Sequence, residues 1–396
     1  MAAQLPFAYA ARNLAARPGR TLLTASVVAL VVVACTLLMG LVSSLKRSFV
    51  QSGHPLNLVV LRKGSDNDGA SQVSRPAYLA VRDLDGIAVD ADGHRLVSPQ
   101  LVVQPFIYKP DGGRENVLVR GVDERALAVH DQLRLVAGRF LRPSLGEAVI
   151  GAALVGRYEG ARLGGTLHFG RGHWRVVGVF DAAGSSFESE IWVDGRELAR
   201  DARRPMPYSG VRIRARSAAA LERLQQRIDE DPRYALEALR ESEYYAEQAE
   251  SADALYVLVV GIAVLAGLGA GFGSANTLYA AVDSRTREIG TLRALGFSPA
   301  AILRSFELEA ALLGVTGFAL GAGLSLLAAA GLGRWLGGVA FGAATFTSNV
   351  VALRVAPGDL LIAFVLAIAI GVLGGVGPAW RAARLRPIEA LRRAGA

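Results

Sequence analysis

Few residues in this 396-residue chain have the types and spacing that catalysis needs. A phosphate-binding loop requires a glycine-rich turn ending in Gly-Lys-Ser/Thr, because its lysine holds the terminal phosphates of a nucleotide. The lysines here are Lys46, Lys63 and Lys109, and none follows a glycine. His168 and His173 flank an expected turn, a spacing that does not by itself define a metal site. Asp66, Asp68 and Gly69 lack the spacing of a calcium loop. No serine occupies a recognisable nucleophile elbow. The single cysteine, Cys35, lies inside an apolar run, where it packs and has no internal disulfide partner. The expectation is a chain with no catalytic residues, no metal site and no cofactor of its own.

The informative residues lie instead between Asp283 and Gly314, a charged stretch between two long apolar runs. Ile289, Leu292 and Leu295 recur at roughly one-turn spacing, which predicts a short amphipathic helix. Arg287, Glu288 and Arg293 occupy its other faces. Gly296 follows the last apolar position, where a left-handed cap needs a residue without Cβ. Ser298 and Pro299 then read as the N-cap and first residue of a new helix. A rigid helix on short tethers suits the passing of force between a soluble partner and the two neighbouring spans. An ordinary basic loop is the competing reading from local features alone.

The elements that must position this stretch are membrane helices. Apolar residues make up 52% of the chain and concentrate in runs too long for a soluble core. The expected order is a tail (1–20), a first span (21–44), a large outer segment (45–253) and a second span (254–282). The coupling helix and loop follow (283–304), then a third span (305–333), a short outer loop (334–358), a fourth span (359–380) and a tail (381–396). The first span continues through Leu37, Leu38 and Leu41, which favours an uncleaved anchor over a signal peptide. Arginines cluster in the first tail, in the 283–304 loop and in the last tail, which places all three in the cytoplasm. The formal charge of +8 is accounted for by these membrane-flanking clusters, and no nucleic-acid-binding motif accompanies it.

Within the spans, glycines recur four apart: Gly267 with Gly271, Gly269 with Gly273, Gly317 with Gly321, and Gly371 with Gly375. Such pairs let helix backbones approach closely in lipid. Glu307 and Glu309 sit early in the third span. For Glu309 a hydrogen-bonded structural carboxylate is preferred over an ion-coupling group. The outer segment reads as mixed α/β. Strands are expected at Leu56 to Leu61, Glu115 to Val122 and Trp174 to Phe180, and where Val211, Ile213 and Ala215 alternate with Arg212, Arg214 and Arg216. That last strand is expected to have one buried face. Leu221, Leu224 and Ile228 stripe a helix that stops before Pro232, and Ser65 to Ser74 reads as a flexible loop.

The stretch SRTREIGTLRALGFSPAAILRSFELEAALLG resembles the signature of the permease subunits of MacB-like and FtsX-like ABC transporters. GPAWRAARLRPIEALRRA (Gly377 to Ala394) is similar to the closing motif of that family, and YAARNLAARPGRTLLTA to its opening. ESEYYAEQAESAD resembles the approach to the second span in MacB-like permeases of the DevC type. The resemblance implies a four-helix membrane protein of the bacterial inner (plasma) membrane, both termini cytoplasmic, with a large extracytoplasmic mixed α/β core domain between helices 1 and 2. It implies a non-catalytic subunit that works as a homodimer or close heterodimer. A separate ABC ATPase dimer would bind ATP-Mg and push on the helix from Arg285 to Gly296, driving export or efflux. Ile289, Leu292 and Leu295 would supply apolar contacts to the ATPase. Arg287, Glu288 and Arg293 would supply polar contacts or braces, and Gly296 the turn. Glu309 matches the acidic position of the family motif, and Arg381 and Arg384 would anchor the fourth span. A periplasmic adaptor and an outer-membrane channel are further partners of the export reading. Extraction of lipoproteins or lipids, or activation of a cell-wall hydrolase, are the alternative uses of the same stroke.

Overall fold

The computed structural model describes residues 7–16, 18–204, 206–336, 338–343 and 346–385. Its helices are α1 (Phe7–Ala16), α2 (Pro18–Val50), α3 (Arg75–Arg82), α4 (Ala126–Val129), α5 (Gly195–Asp201), α6 (Ala218–Asp229), α7 (Glu241–Ser284), α8 (Thr286–Ala294), α9 (Pro299–Leu336) and α10 (Pro357–Ala383). The strands are β1 (Asn57–Arg62), β2 (Val97–Val103), β3 (Phe106–Tyr108), β4 (Arg114–Asn116), β5 (Leu118–Val122), β6 (Arg134–Gly138), β7 (Glu147–Gly151), β8 (Thr166–Phe169), β9 (Gly172–Asp181), β10 (Glu190–Asp194), β11 (Gly210–Arg214), β12 (Leu236–Arg240), β13 (Val339–Ala343) and β14 (Phe346–Val351). The chain divides into a helical unit (Met1–Ser43, Ala254–Leu332 and Leu353–Ala396) and an α/β unit (Ser44–Asp253 and Gly333–Ala352).

In the helical unit, α2, α7, α9 and α10 are long and apolar enough to cross a membrane. Their glycines are placed by close approach. A Cβ on Gly317 would lie 2.6 Å from Cβ of Val28, and one on Gly321 would lie 2.7 Å from Cβ of Val32, so α9 packs directly on α2. About one turn earlier on α9, a Cβ on Gly314 would meet the Ala367 carbonyl oxygen at 2.6 Å, and one on Gly371 the Ala310 carbonyl oxygen at 2.5 Å. These contacts join α9 to α10. Among the described residues nothing lies within 4 Å of where a Cβ on Gly269 or Gly273 would be, so that pair does not seat against a neighbouring helix. The N-terminal tail, expected only as a basic segment, forms α1, which is tied to α2 by the Thr21 hydroxyl donating to the Leu14 carbonyl oxygen at 2.9 Å.

The α/β unit is built on one sheet of order β12-β1-β11-β2-β5-β10-β7-β9-β6, with β8 added on β9. Ser217 caps α6 by accepting from the Ala220 amide at 3.3 Å. Leu221, Leu224 and Ile228 of α6 then pack with Ala77 and Val81 of α3 over Leu58, Val60, Val211 and Ile213. That covers one face of the sheet. The register decides what occupies the other. Arg212 pairs with Ser98, Val102 with Arg120, and Arg120 with Trp192, so these residues and Gln100 share one face across four adjacent strands. This face is also buried, and Arg212 is 0% exposed. The expectation of one buried face for β11 is thereby corrected: apolar and arginine residues alternate between two interiors. The segment expected as a short outer loop contains the β13–β14 hairpin, which joins the α/β unit. Ser189 Oγ accepts from the Val350 amide at 2.8 Å, and Arg157 Nη2 donates to the Gly338 carbonyl oxygen at 3.0 Å.

At the end of β5, Asp123 accepts from Ser98 Oγ at 2.6 Å. Burial raises its carboxyl from the ordinary 3.8 to about 6. Between these two values the folded unit keeps a proton that the unfolded chain has lost. Stability is therefore full below pH 4 and falls as pH rises through 6. The loss should be about 2 kcal/mol, from roughly 1.4 kcal/mol per pH unit of displacement less some solvent screening. Asp123→Asn should flatten this pH dependence and raise the urea midpoint at pH 7. An unchanged slope in the variant would count against it.

Candidate coupling site

Helix α8 starts immediately after α7 and stops at a glycine. Gly296 has φ +94, and nothing lies within 4 Å of where its Cβ would be, so the backbone angle and not space requires glycine. The Gly296 amide donates to the Arg293 carbonyl oxygen and the Phe297 amide to the Leu292 carbonyl oxygen, both at 3.2 Å, completing a Schellman cap. Arg293 Nη1 donates to the Phe297 carbonyl oxygen at 2.9 Å and braces the same turn. Ser298 Oγ then accepts from the Ala301 amide at 3.2 Å and caps α9.

The side chains are distributed differently from the sequence expectation. Ile289 is 2% exposed and packs with Val282, Ile302, Phe306, Ala379 and Ala382. Leu292 is half-buried against the same cluster. Leu295 is 73% exposed. Six residues of helix rotate by about 600°, so Leu295 lies about 120° around the axis from Ile289. The apolar stripe is thus not one outward face. Ile289 and Leu292 seat the helix, while Arg287, Glu288 and Leu295 face out.

Arg285 is also turned inward. Its Nη1 donates to Glu309 Oε1 and Oε2 at 3.1 and 2.9 Å, with both side chains under a tenth exposed. This places Arg285 as an internal brace, not as an exposed contact, and it gives Glu309 the partner that a structural carboxylate needs. Small cavities flank the pair. Asn13 of α1, Thr21 and Thr24 of α2, and Thr277 of α7 line one, while Tyr9, Asn13 and Ser305 help line the other. Arg381 of α10 pairs with Asp283 at 3.1 Å and lies over the Tyr279 ring at 5.7 Å. Arg384 stacks on Trp380 at 4.6 Å. The closing motif beyond Leu385 lies outside the described residues.

A second cluster, unforeseen in the sequence, fills the buried arginine face of the α/β unit. Arg120 donates to both oxygens of Glu190 at 2.7 and 2.6 Å, to Gln100 Oε1 at 2.9 Å and to Asp68 at 3.3 Å. Arg212 donates to both oxygens of Asp68 at 3.2 and 2.7 Å, and its Nε lies 3.4 Å from Glu241, the first residue of α7. Trp192 Nε1 donates to Glu190 at 2.8 Å, and Asn57 Nδ2 to Glu241 at 2.8 Å. Burial pushes Asp68 upward, but Arg212 and Arg120 outweigh it and hold the carboxyl below its ordinary value. Burial raises Glu241, and burial plus the two arginines drives His130 well below the usual imidazole range. Arg212 and Arg120 therefore hold Asp68 as an anion, while burial moves Glu241 toward neutrality. Asp68 lies in the segment expected to be a flexible loop. Ser65 and Ser71 are buried with it, so the ion pairs hold that loop against the sheet.

Residues 21–231 match the MacB-like periplasmic core domain family, and residues 260–387 match the FtsX-like permease C-terminal family. The first match covers more than half of the sequence, and the chain belongs to the MacB-like periplasmic core domain family. With the second match it is an ABC permease of the MacB and FtsX type, a membrane protein whose α/β domain lies between its first and second spans. Among curated relatives, the macrolide export ATP-binding/permease protein MacB of Shigella sonnei is 39% identical over 132 residues, which is 33% of this chain and 18% of the relative. The pyoverdine export ATP-binding/permease protein PvdT of Pseudomonas fluorescens is 29% identical over 237 residues, 55% of this chain and 33% of the relative. The matches thus span a third or less of these relatives. Among solved structures, the periplasmic region of MacB from Actinobacillus actinomycetemcomitans aligns with TM-score 0.39 and 14% identity, over 51% of this chain and 95% of that one. The extracellular domain of the transporter YknZ from Gram-positive bacteria aligns with TM-score 0.36 and 15% identity, over 46% and 99%.

Proposed function

We propose that this chain is the membrane subunit of an ABC exporter, through which a separate ATPase polypeptide moves the extracytoplasmic domain. The observation that carries this reading is the geometry of α8. It is a short helix seated by Ile289, pinned at its start by Arg285 and Glu309, stopped by Gly296, and presenting Arg287, Glu288 and Leu295 outward. A helix fixed in this way moves only together with α9 and α10. A push on its outer face is passed into the spans. The export direction rests on the macrolide and pyoverdine exporters among the relatives. A second permease copy completes the dimer, ATP-Mg binds in the ATPase, and the assembly lies in the bacterial inner membrane with both termini in the cytoplasm.

The test is affinity purification of the tagged chain in mild detergent, with the co-purifying ATPase identified and its activity measured. Leu295→Asp and the charge reversal Arg287→Glu should each reduce ATPase recovery or its coupling by about tenfold, the equivalent of roughly 1.4 kcal/mol at an interface. Protein yield and melting should be unchanged. Leu292→Asp tests something else, because Leu292 packs against the bundle and the change disturbs the helix seat. Normal recovery and coupling in both outward variants would overturn the assignment of this face.

A further inference from the structure

We propose that His168 and His173 form a two-nitrogen chelate for a transition-metal dication, with copper(II) preferred over zinc. The two residues are direct cross-strand partners in the β8–β9 hairpin. Their Nδ1 atoms lie 2.7 Å apart, and the ring centroids are 4.7 Å apart at 78°. Both side chains are exposed, so a hydrated ion reaches them without any opening of the fold.

The hairpin beneath them is rigid. Its alternate residues Leu167, Phe169 and Trp174 are buried, and Phe169 stacks on Trp174 at 5.3 Å and 7°. The connecting turn is held at Gly170, with φ +60, and by Asp201 accepting from the Arg171 amide at 2.9 Å. A chelate built on a fixed hairpin does not lose the entropy of bringing its two ligands together.

Two neutral imidazoles can share one proton between facing Nδ1 atoms, one as N–H donor and the other as lone-pair acceptor. When both take the Nε2–H tautomer, both Nδ1 lone pairs point into the same gap. The change is a proton relocation from Nδ1 to Nε2 through solvent, with no net proton released, and it leaves two nitrogen ligands for one ion.

The ligand type ranks the metals. Two imidazole nitrogens suit copper, nickel and zinc, and copper(II) stands highest in the affinity series. Water fills the remaining positions. The Asp90, Asp92 and His94 cluster is a weaker competitor, because Asp90 Oδ1 already accepts from the Asp92 and His94 amides at 3.0 and 2.8 Å as part of its turn.

The experiment is copper(II) titration of the full-length, metal-stripped protein in detergent, followed by electron paramagnetic resonance and by competition with a chromophoric chelator. One copper per chain with nitrogen hyperfine coupling is expected, with zinc competing poorly. His168→Ala and His173→Ala should each weaken binding by about tenfold or more, as loss of a ligand must. His94→Ala should leave it unchanged. Equal binding by the His168→Ala/His173→Ala double variant, no binding by the unaltered chain, or dependence on His94 would each overturn the proposal.

Discussion

Arg212→Met is expected to lower the stability of the α/β unit by about 3–5 kcal/mol, the usual consequence of removing one partner from a buried ion pair. Arg212 is fully buried and holds both oxygens of Asp68. Without it Asp68 keeps only the 3.3 Å contact from Arg120, and Glu241 loses its nearest cation. The effect should appear as a large drop in the urea midpoint, followed through proteolysis of the outer domain. Asp68→Asn added to Arg212→Met should recover part of the loss, because the stranded negative charge is the principal cost. The exposed pair Arg233 and Asp231 is the control, and its removal should leave the midpoint unmoved. A shift from Arg212→Met below about 1 kcal/mol, the scale of an exposed pair, would remove the network from the account of this domain's stability.

The second large effect is expected at Arg285. Arg285→Met removes the guanidinium that holds both oxygens of Glu309, a loss of about 3–5 kcal/mol by the same reasoning. The recovered yield of monodisperse protein and its melting temperature in detergent should both fall sharply. Glu309→Gln in the Arg285→Met background should restore most of the loss, since a neutral amide needs no counter-charge. Additive damage in the double variant would show that the two residues act separately. The pair also bears on coupling, because it fixes the start of α8 to α9. A rescued double variant that melts normally but couples poorly would assign the ion pair a part in transmission beyond holding the helices together.

Much of the coupling stretch was legible in its residues. Gly296, Ser298 and Pro299 are local signals, governed by backbone angle and by hydrogen bonds within a few residues, and the observed caps follow them. The spans were legible for a similar reason, since apolar length alone decides what can lie in a bilayer. The direction each α8 side chain faces was not legible. Ile289, Leu292 and Leu295 share a spacing, but which of them is covered depends on Phe306 and Ala382, which are remote from Ile289 in sequence or lie on another helix. The sequence placed Arg285 at the start of the coupling helix but named no partner for it. Its pairing with Glu309, 24 residues away, turns it inward.

The same division holds in the outer domain. By itself the sequence determined that β11 alternates, that α6 ends before Pro232, and that the chain carries strands and helices between its first two spans. These are properties of periodicity and turn chemistry, read within one segment at a time. Only the tertiary structure decided that the arginine side of β11 is a second interior, that Asp68 closes over it, and that the β13–β14 hairpin joins this domain. Strand register across β11, β2, β5 and β10 brings Arg212, Gln100, Arg120 and Trp192 onto one face, and register is a relation between strands distant in the chain. A buried arginine is stable only where such remote partners meet it, so no local pattern announces it.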